Sequence, residues 1–429
     1  MKIITLAVTL LLFFSGCSNK HSLVAIYDLE HYPQNSSYYS NNINSRTALL
    51  PIQKNFKQHY FKPWNISEVP ASKLEAMWAL KRYKYGNGYG ENLLLIEPEW
   101  FSKIEEQSNF SQFGSKNLYA ISLHFSHLRA FPTHKPLFSN PNDAGEGFPF
   151  DYMQNSGVHS NEPIFVSHYS KDGSWVYVFT SYASGWLRSR DIAILSRDET
   201  LKYQENDFLH VNQEYVPLKD RNNTFITYGR VGMLLPLVSE NSTYYTVLAY
   251  SKGRGLIEVS LPHHSGSSEP LMLNSENLTG ITNELMGRKY GWGGMYEERD
   301  CSSTLRDIYA SFGIWLPRNS SKQSGVGRVI SLENLSDDDK VTLIKKEAVP
   351  FETILYRRGH VLLYLGTYSK NIVVFHDTWG IRTLKSGIEG RKIIGKTIIS
   401  TLKLGSQLSD YSQKYEHLKN LKSMNIITQ

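Results

Sequence analysis

The sequence predicts an α+β chain in three blocks: a helical lead, a long all-β middle and a mixed C-terminal domain. Three observations predict it. Apolar residues recur at helical spacing between Ile52 and Phe110. Short β-branched and aromatic runs, punctuated by Gly, Asn, Asp and Ser, fill residues 117–262. A glycine-rich aromatic turn then opens a helix that begins at Asp300-Cys301-Ser302, and further strands follow it. A chain of 429 residues has room for two to four domains at roughly 100–200 residues each.

Residues 1–16 read as a signal peptide, with Lys2 as its charged start and Ile3 to Phe14 as an apolar run too short for a permanent span. Phe14-Ser15-Gly16-Cys17 resembles a bacterial lipobox, in which Cys17 becomes the lipid-modified first residue. Phe14 departs from the usual leucine. Ser18, as opposed to Asp, points the anchor to an outer membrane. Residues 17–115 read as a polar tether, rich in Asn and Ser around Gln34 to Asn44, followed by helices. Phe56, Tyr60 and Phe61 mark the first helix and Pro63 stops it. Ser72 to Tyr83 reads as a second helix and Pro98 to Phe110 as a third. Tyr85 to Gly90 is a glycine turn with no strand before it and no Lys-Ser/Thr after it, so it is a loop and not a phosphate cradle.

Residues 116–200 form one β-module, with strands at Leu118–Phe125, Pro163–His168, Trp175–Thr180 and Trp186–Leu195. Residues 201–265 form a second, with strands at Met233–Val238, Tyr244–Tyr250 and Gly255–Leu261. Pro262 to Ser268 is a linker; His263 and His264 find no further ligand at metal spacing. The mixed domain occupies residues 270–405, with strands at Ile354–Tyr356, Gly359–Gly366, Ile372–His376 and Ile393–Leu402. Residues 406–429 read as a charged tail.

Composition excludes some functions. The net charge of +6 is spread along the chain without a basic block, which argues against nucleic-acid binding. The 27 Tyr and 8 Trp suit carbohydrate or peptide surfaces and equally suit β-rich cores. With Cys17 lipidated, Cys301 has no disulfide partner. Cys301 is then the one cysteine left for chemistry. Its helix-start position favours a thiolate through the helix dipole and unpaired N–H groups. A lone cysteine of this kind calls for a histidine elsewhere. His360 and His376 lie in two neighbouring strands joined by the Gly366–Asn371 turn. His360 is positioned to take the thiol proton and His376 to orient His360. Asp377 competes for the orienting role, although strand alternation points it to the opposite face.

Tyr290-Gly-Trp-Gly-Gly294, Asp300-Cys301-Ser302, Leu316 to Gln323, Gly359-His360-Val361 and His376 together resemble the NlpC-type cell-wall cysteine peptidase family, over roughly residues 270–400. The resemblance implies a papain-like catalytic domain. It makes Cys301 the nucleophile, His360 the base and His376 the third member. It also assigns Tyr290, Asp300, Ser302 and Ser320 to the substrate pocket, although Asp300 and Ser302 equally suit helix capping. Arg129 to Thr133, Phe148 to Asp151, Ser170 to Trp175 and Gly185-Trp186 resemble the first bacterial SH3-like barrel attached to such peptidases. His59 to Trp64 resembles their N-terminal segment. In relatives of this build the first barrel blocks one side of the cleft, so that only a free N-terminal L-alanine enters. That resemblance offers Asp172, Trp175 and Asp151 as contacts for the alanine amine.

The expected activity is hydrolysis of the γ-D-glutamyl–diamino-acid bond of peptidoglycan stem peptides or muropeptides, by an envelope protein held to a membrane through its lipid. No metal or organic cofactor is implied. A non-catalytic wall-binding protein, or an amidase or acyltransferase on the same fold, are the competing readings.

Overall fold

The computed structural model describes residues 25–43, 50–83 and 88–429. The expected signal segment, the Cys17 lipidation site and the first half of the Tyr85–Gly90 turn, residues 85–87, lie outside them. The architecture is α+β: a helical N-terminal segment, two antiparallel β-domains and a mixed C-terminal domain.

The first β-domain is a seven-stranded antiparallel sheet. Its strand order is Gln154–Val158, Ser126–Arg129, Ser184–Arg188, Trp175–Phe179, Pro163–Tyr169, Leu118–Ser122 and Ile192–Leu195. The run expected as one strand from Trp186 to Leu195 is broken by a 3-10 turn at Ser189–Asp191. The break follows from pairing: Trp186 lies opposite Tyr177, whereas Ile192 to Leu195 cross over to pair with Leu118 to Ser122. The second β-domain is also a seven-stranded sheet, built on strands from Phe208 to Ser267. Its strands at Phe208–Val211, Val216–Asp220 and Phe225–Gly229 are only four or five residues long, which hid them from the sequence pattern.

The helical lead is a wedge between domains. Phe56, Tyr60, Phe61 and Trp64 share one core cluster with Ile121, Phe208, Leu234 and Ala310, which belong to three different domains. Trp64 is fully buried. Its indole N–H donates to the Ala120 carbonyl at 2.8 Å, and its ring meets Tyr203 edge-on at 5.1 Å. The expected helix from Ser72 to Tyr83 is split at Met77 into Lys73–Ala76 and Trp78–Tyr83.

Two expectations fail. The described part of the polar tether is not extended into solvent. Its residues 25–43 dock on the C-terminal domain, where the Asp28 carboxylate accepts from the Thr401 N–H at 2.7 Å and hydroxyl at 2.8 Å. The Gln34 amide brackets Ile399, donating to its carbonyl at 2.8 Å and accepting from its N–H at 2.9 Å. Polar side chains that read as solvated instead satisfy buried backbone groups. Likewise, residues 406–429 are no tail. Leu421–Ile426 form an inner strand, paired on one side with Arg328–Ser331 and on the other with Thr353–Arg357. Met424 and Ile426 are fully buried there.

That strand completes a six-stranded antiparallel sheet, ordered Arg328–Ser331, Leu421–Ile426, Thr353–Arg357, His360–Tyr368, Asn371–Lys385 and Ile388–Thr401. The helix Cys301–Ala310 packs against the two strands that carry His360 and His376. Leu305, Ile308, Tyr309 and Phe312 fill the space between helix and sheet with Ile354, Leu363 and Phe375.

A buried ionic network ties the three domains together behind this helix. Arg299 donates to Asp307 and to Glu214, both at 2.7 Å. His159 bonds Asp307 at 2.8 Å, and Arg230 pairs with Glu214 at 2.6 Å. Removing one member of such a buried set costs about 3–5 kcal/mol, because the partner charge stays behind unpaired.

Candidate active site

The cysteine is placed by a capping box. The Asp300 carboxylate accepts from the Ser303 N–H at 2.9 Å, and the Ser303 hydroxyl accepts from the Asp300 N–H at 2.9 Å. Cys301 is therefore the first helical residue. It is a free thiol, 8% exposed. The Val361 N–H, one residue past His360, hydrogen-bonds its sulfur. Burial, and then the Asp300 charge beside it, push the thiol up to about 12, and the Val361 N–H offsets only part of that. The helix terminus favours a thiolate, but a desolvated sulfur next to a carboxylate is worse off charged than neutral. The resting residue is a thiol and needs a base.

The candidate base, His360, ends a chain of hydrogen bonds whose direction is fixed from its far end. The Thr401 carbonyl can only accept, and Ser400 donates its hydroxyl to it at 3.0 Å. Ser400 Oγ then accepts from His376 Nε2–H at 2.9 Å. His376 Nδ1 is left as an acceptor and takes the Nε2–H of His360 at 2.8 Å. This assignment, made from the network, leaves His360 Nδ1 unprotonated. Burial, then His376 and Arg357, hold His360 well below the ordinary histidine range. Burial, then Arg357, bring His376 down to about 3. Both rings are neutral at ordinary pH. Asp377 faces the other way, toward the Thr304 hydroxyl at 3.4 Å, as strand alternation requires.

A cleft of about 660 Å³ opens over the sulfur. Tyr290, Asp300, Cys301, Ser302 and Ser320 all line it. Arg318 donates to both Asp300 oxygens at 3.1 and 2.7 Å, to Ser302 Oγ at 3.0 Å and to Ser156 Oγ at 2.8 Å. Burial alone would raise the Asp300 carboxyl; Arg318 outweighs it and keeps the group ionised. Asp300 therefore caps the helix and lines the cleft at once.

The opposite wall belongs to the first β-domain, through Tyr152, Gln154, Asn155 and Tyr182. Trp292 donates its indole N–H to the Asp151 carbonyl at 3.1 Å, and Gln154 donates to the Gly293 carbonyl at 3.0 Å. Asp172 and Trp175 are not among the lining residues. Asp172 closes the turn after Pro163–Tyr169, accepting from Ser170 and Ser174. Trp175 is buried in the first β-domain, against His134 at 4.7 Å. The Asp151 carboxylate is consumed by Arg129 at 2.7 Å and by the N–H groups of Leu137 and Met153. All three belong to the barrel's own structure and not to its cleft face.

A smaller cavity of about 250 Å³ continues on the other side of the Tyr290–Trp292–Gly359 rim and is lined by His360. His417 joins it there, stacked on His360 with ring centroids 5.6 Å apart. Sequence reasoning missed His417, which sits in the segment read as a tail, and Ser400, whose neighbours carry no signal for its role. Arg318 stood in the quoted Leu316–Gln323 motif, but its partner Asp300 appears only in the fold.

The geometry is that of a helix-borne cysteine set against a histidine-bearing antiparallel sheet. Residues 287–378 match the NlpC/P60 family, residues 6–113 its N-terminal stabilising domain, residues 136–188 an SH3 domain of SH3b1 type and residues 196–241 an SH3 domain of SH3b2 type. No curated protein matches the chain. Among solved structures, an NlpC/P60 endopeptidase from Photobacterium damselae subsp. piscicida is 22% identical, with a TM-score of 0.78 over 92% of this chain and 97% of that one. An NlpC/P60 family protein from Bacillus cereus ATCC 10987 is 17% identical, with a TM-score of 0.44 over 64% of this chain and 83% of that one. With a stabilising N-terminal segment and two SH3b domains ahead of its cysteine–histidine domain, the chain carries an NlpC/P60 domain and is like the NlpC/P60 peptidoglycan hydrolases.

Proposed function

We propose that this protein is a cysteine endopeptidase that hydrolyses the γ-D-glutamyl–diamino-acid bond of peptidoglycan stem peptides. The observation that carries the reading is the hydrogen-bond chain from Thr401 through Ser400 and His376, which leaves an unprotonated nitrogen on His360 one residue from the N–H that holds the Cys301 sulfur. A structural cysteine has no use for a tautomer fixed in this way.

In this reading His360 Nδ1 takes the Cys301 proton as the sulfur attacks the γ-carbonyl carbon of D-glutamate. The Cys301 backbone N–H and the Tyr290 hydroxyl stabilise the oxyanion; burial, then Cys301 and Asp300, keep Tyr290 a neutral donor. The tetrahedral species collapses, the C–N bond breaks, and His360 returns its proton to the leaving amine. Water, deprotonated by the same ring, then splits the thioester. The first SH3b domain closes one end of the cleft, so the substrate enters with a free N-terminal L-alanine. Asp300, the carboxylate that lines the cleft and shares its charge with Arg318, faces that ammonium in place of Asp172, Trp175 or Asp151. A lipid on Cys17 would hold the enzyme to the envelope.

The test is a pair of peptides, L-Ala-γ-D-Glu-diaminopimelate and its N-acetylated form, incubated with the full chain and with Cys301→Ala. The free peptide should release diaminopimelate, the acetylated one should not, and Cys301→Ala should lose about 10⁴-fold or more in kcat with an unchanged melting temperature. An active Cys301→Ala variant would sink the mechanism. Cleavage of both peptides would keep the peptidase and discard the gate.

A further inference from the structure

The smaller cavity beside His360 has a basic wall. Arg357, Arg358, Arg382 and Arg391 line it, against a single lining carboxylate, Glu416, which is engaged by the Tyr411 hydroxyl. Outside the wall, Glu389 pairs with Arg382, and Glu146 lies near Arg391.

Arg382 and Arg391 are directly opposed partners on adjacent strands. Like charges in that register destabilise a sheet. Arg391 Nε is buried with no hydrogen-bond partner, and its Nη2 reaches only the Ala144 carbonyl at a long 3.3 Å. A Cβ at Gly145 would run into this guanidinium, so the loop of the first SH3b domain clamps it in place. Arg357 is occupied, by the Tyr415 carbonyl at 2.9 Å and His417 at 3.3 Å. Burial, then the Arg382 charge, lower both Arg357 and Arg391 from the ordinary arginine range, and Glu146 and Glu389 offset only part of that for Arg391. A site that holds like charges together and leaves a buried donor unsatisfied is a site for an anion.

The reaction says which anion. The group that protonates the leaving amine must face it, so the leaving amino acid lies on the His360 side of the sulfur. We propose that this cavity seats the leaving diamino acid and that Arg391, with Arg382 opposite it, binds a carboxylate at the end of that residue's side chain. The enzyme would thereby select a diacidic diamino acid over lysine, which ends in a cation. This rests on the peptidase reading above.

The experiment compares L-Ala-γ-D-Glu-diaminopimelate with L-Ala-γ-D-Glu-L-Lys on the full chain, Arg391→Gln and Arg391→Lys. The diacidic peptide should be favoured in kcat/KM by about tenfold or more, the worth of one charge-assisted hydrogen bond to a carboxylate. Arg391→Gln should collapse that ratio toward one, chiefly through KM of the diacidic peptide. Arg391→Lys, which keeps the charge without the planar fork, should retain part of it. Equal cleavage of both peptides, or a ratio that survives Arg391→Gln, overturns the pocket and leaves the peptidase standing. Calorimetric titration of Cys301→Ala with free diaminopimelate and with lysine reads the pocket without turnover. Tighter binding of diaminopimelate, lost on adding Arg391→Gln, upholds the site even if neither peptide is cleaved, an outcome that would overturn the peptidase reading. Equal binding of the two overturns the site.

Discussion

A histidine serves as a base only through the nitrogen that carries no proton, and here a backbone carbonyl three bonds away decides which nitrogen that is. Thr401 fixes Ser400, Ser400 fixes His376, and His376 fixes His360. The pH dependence follows from the same residues. His360 must be neutral to accept the thiol proton. Burial lowers its pKa, so the neutral form persists to lower pH than an ordinary histidine allows. The acid limb of kcat/KM should therefore fall below pH 6.5, the ordinary histidine value. With the thiol near 12, no cysteine ionisation should appear between pH 7 and 10. His360→Ala should cost about 10²–10⁴-fold in kcat, the usual worth of a general base. His376→Ala should cost less, because a ring that has lost its anchor still reaches the sulfur part of the time. A limb at or above pH 6.5 in a kcat/KM profile would show that His360 is not the base. The cysteine and both histidines that the fold brings together could be picked out as candidates in the sequence because each sits on a local signal: a glycine turn before a helix, or a short apolar strand. His417 and Ser400 were not, because what makes them matter is a neighbour brought in from elsewhere.

At the scale of elements, the Gly293–Gly294 pair shows why a motif is glycine-rich. Both residues have positive φ, +59° and +89°. A Cβ on Gly293 would stand 2.6 Å from the Gln154 carbonyl oxygen, and one on Gly294 would run into the Gly157 amide. The turn is therefore shaped by the strand of the first SH3b domain lying on it, in addition to its own bend. Gly287 offers a control: its φ is +73°, with nothing within 4 Å of an added Cβ. Gly287→Ala should cost only the left-handed strain, about 1 kcal/mol, whereas Gly294→Ala should cost about 3 kcal/mol or more, since strain and backbone collision add. Thermal denaturation of the two variants reads the difference; equal losses would mean the domain contact does not constrain the turn. Gly294→Ala should also raise KM more than it lowers kcat, because it displaces the cleft wall and spares the sulfur. The sequence pattern revealed the cysteine helix and the four strands from Thr353 to Thr401, where apolar periodicity is strong. It failed at Leu421–Ile426, a buried strand whose Lys422, Ser423 and Asn425 mask its apolar face. It failed again at residues 25–43, where Asn, Gln and Ser pair with a partner surface that no local pattern reveals.

On the scale of the whole molecule, what joins the domains is charge and aromatic packing, and the charge sets a pH signature for stability. Arg299, two residues before the cysteine, reads in sequence as a flank. In the fold it is the buried bridge from Asp307 to Glu214 of the second SH3b domain. Burial alone would raise Glu214; Arg299 and Arg230 overcome it and hold the group at about 2. Six histidines, His159, His168, His210, His360, His376 and His417, are held by burial below their ordinary range, two of them at about 4 and His376 at about 3. The folded state keeps them neutral while the unfolded chain takes up protons below about pH 6.5. Stability must then fall as pH drops from 6.5 toward 4, by up to about 1.4 kcal/mol per pH unit for each group. Glu214 adds its own loss below its unfolded value of 4.5. Glu162 has the opposite sign. Burial raises it to about 8, so the folded state holds a proton that the unfolded chain releases above 4.5. Asp377 is raised for the same reason. Their contribution is complete below the unfolded value and is lost as pH climbs toward the folded one. Glu298, half-buried, is raised as well; the lowered histidines outnumber these three carboxyls between pH 4.5 and 6.5, and only the carboxyls act from 6.5 to 8. The melting temperature should therefore peak near pH 6.5, drop steeply on the acid side and gently on the alkaline side. Glu162→Gln, which mimics the protonated acid, should flatten the alkaline slope and leave the acid slope alone. A melting temperature that rises from pH 7 to 8 in the unaltered protein, or a Glu162→Gln profile parallel to it, would show that Glu162 is ionised in the folded state, its charge met by the nearby Arg306, which works against the effect of burial.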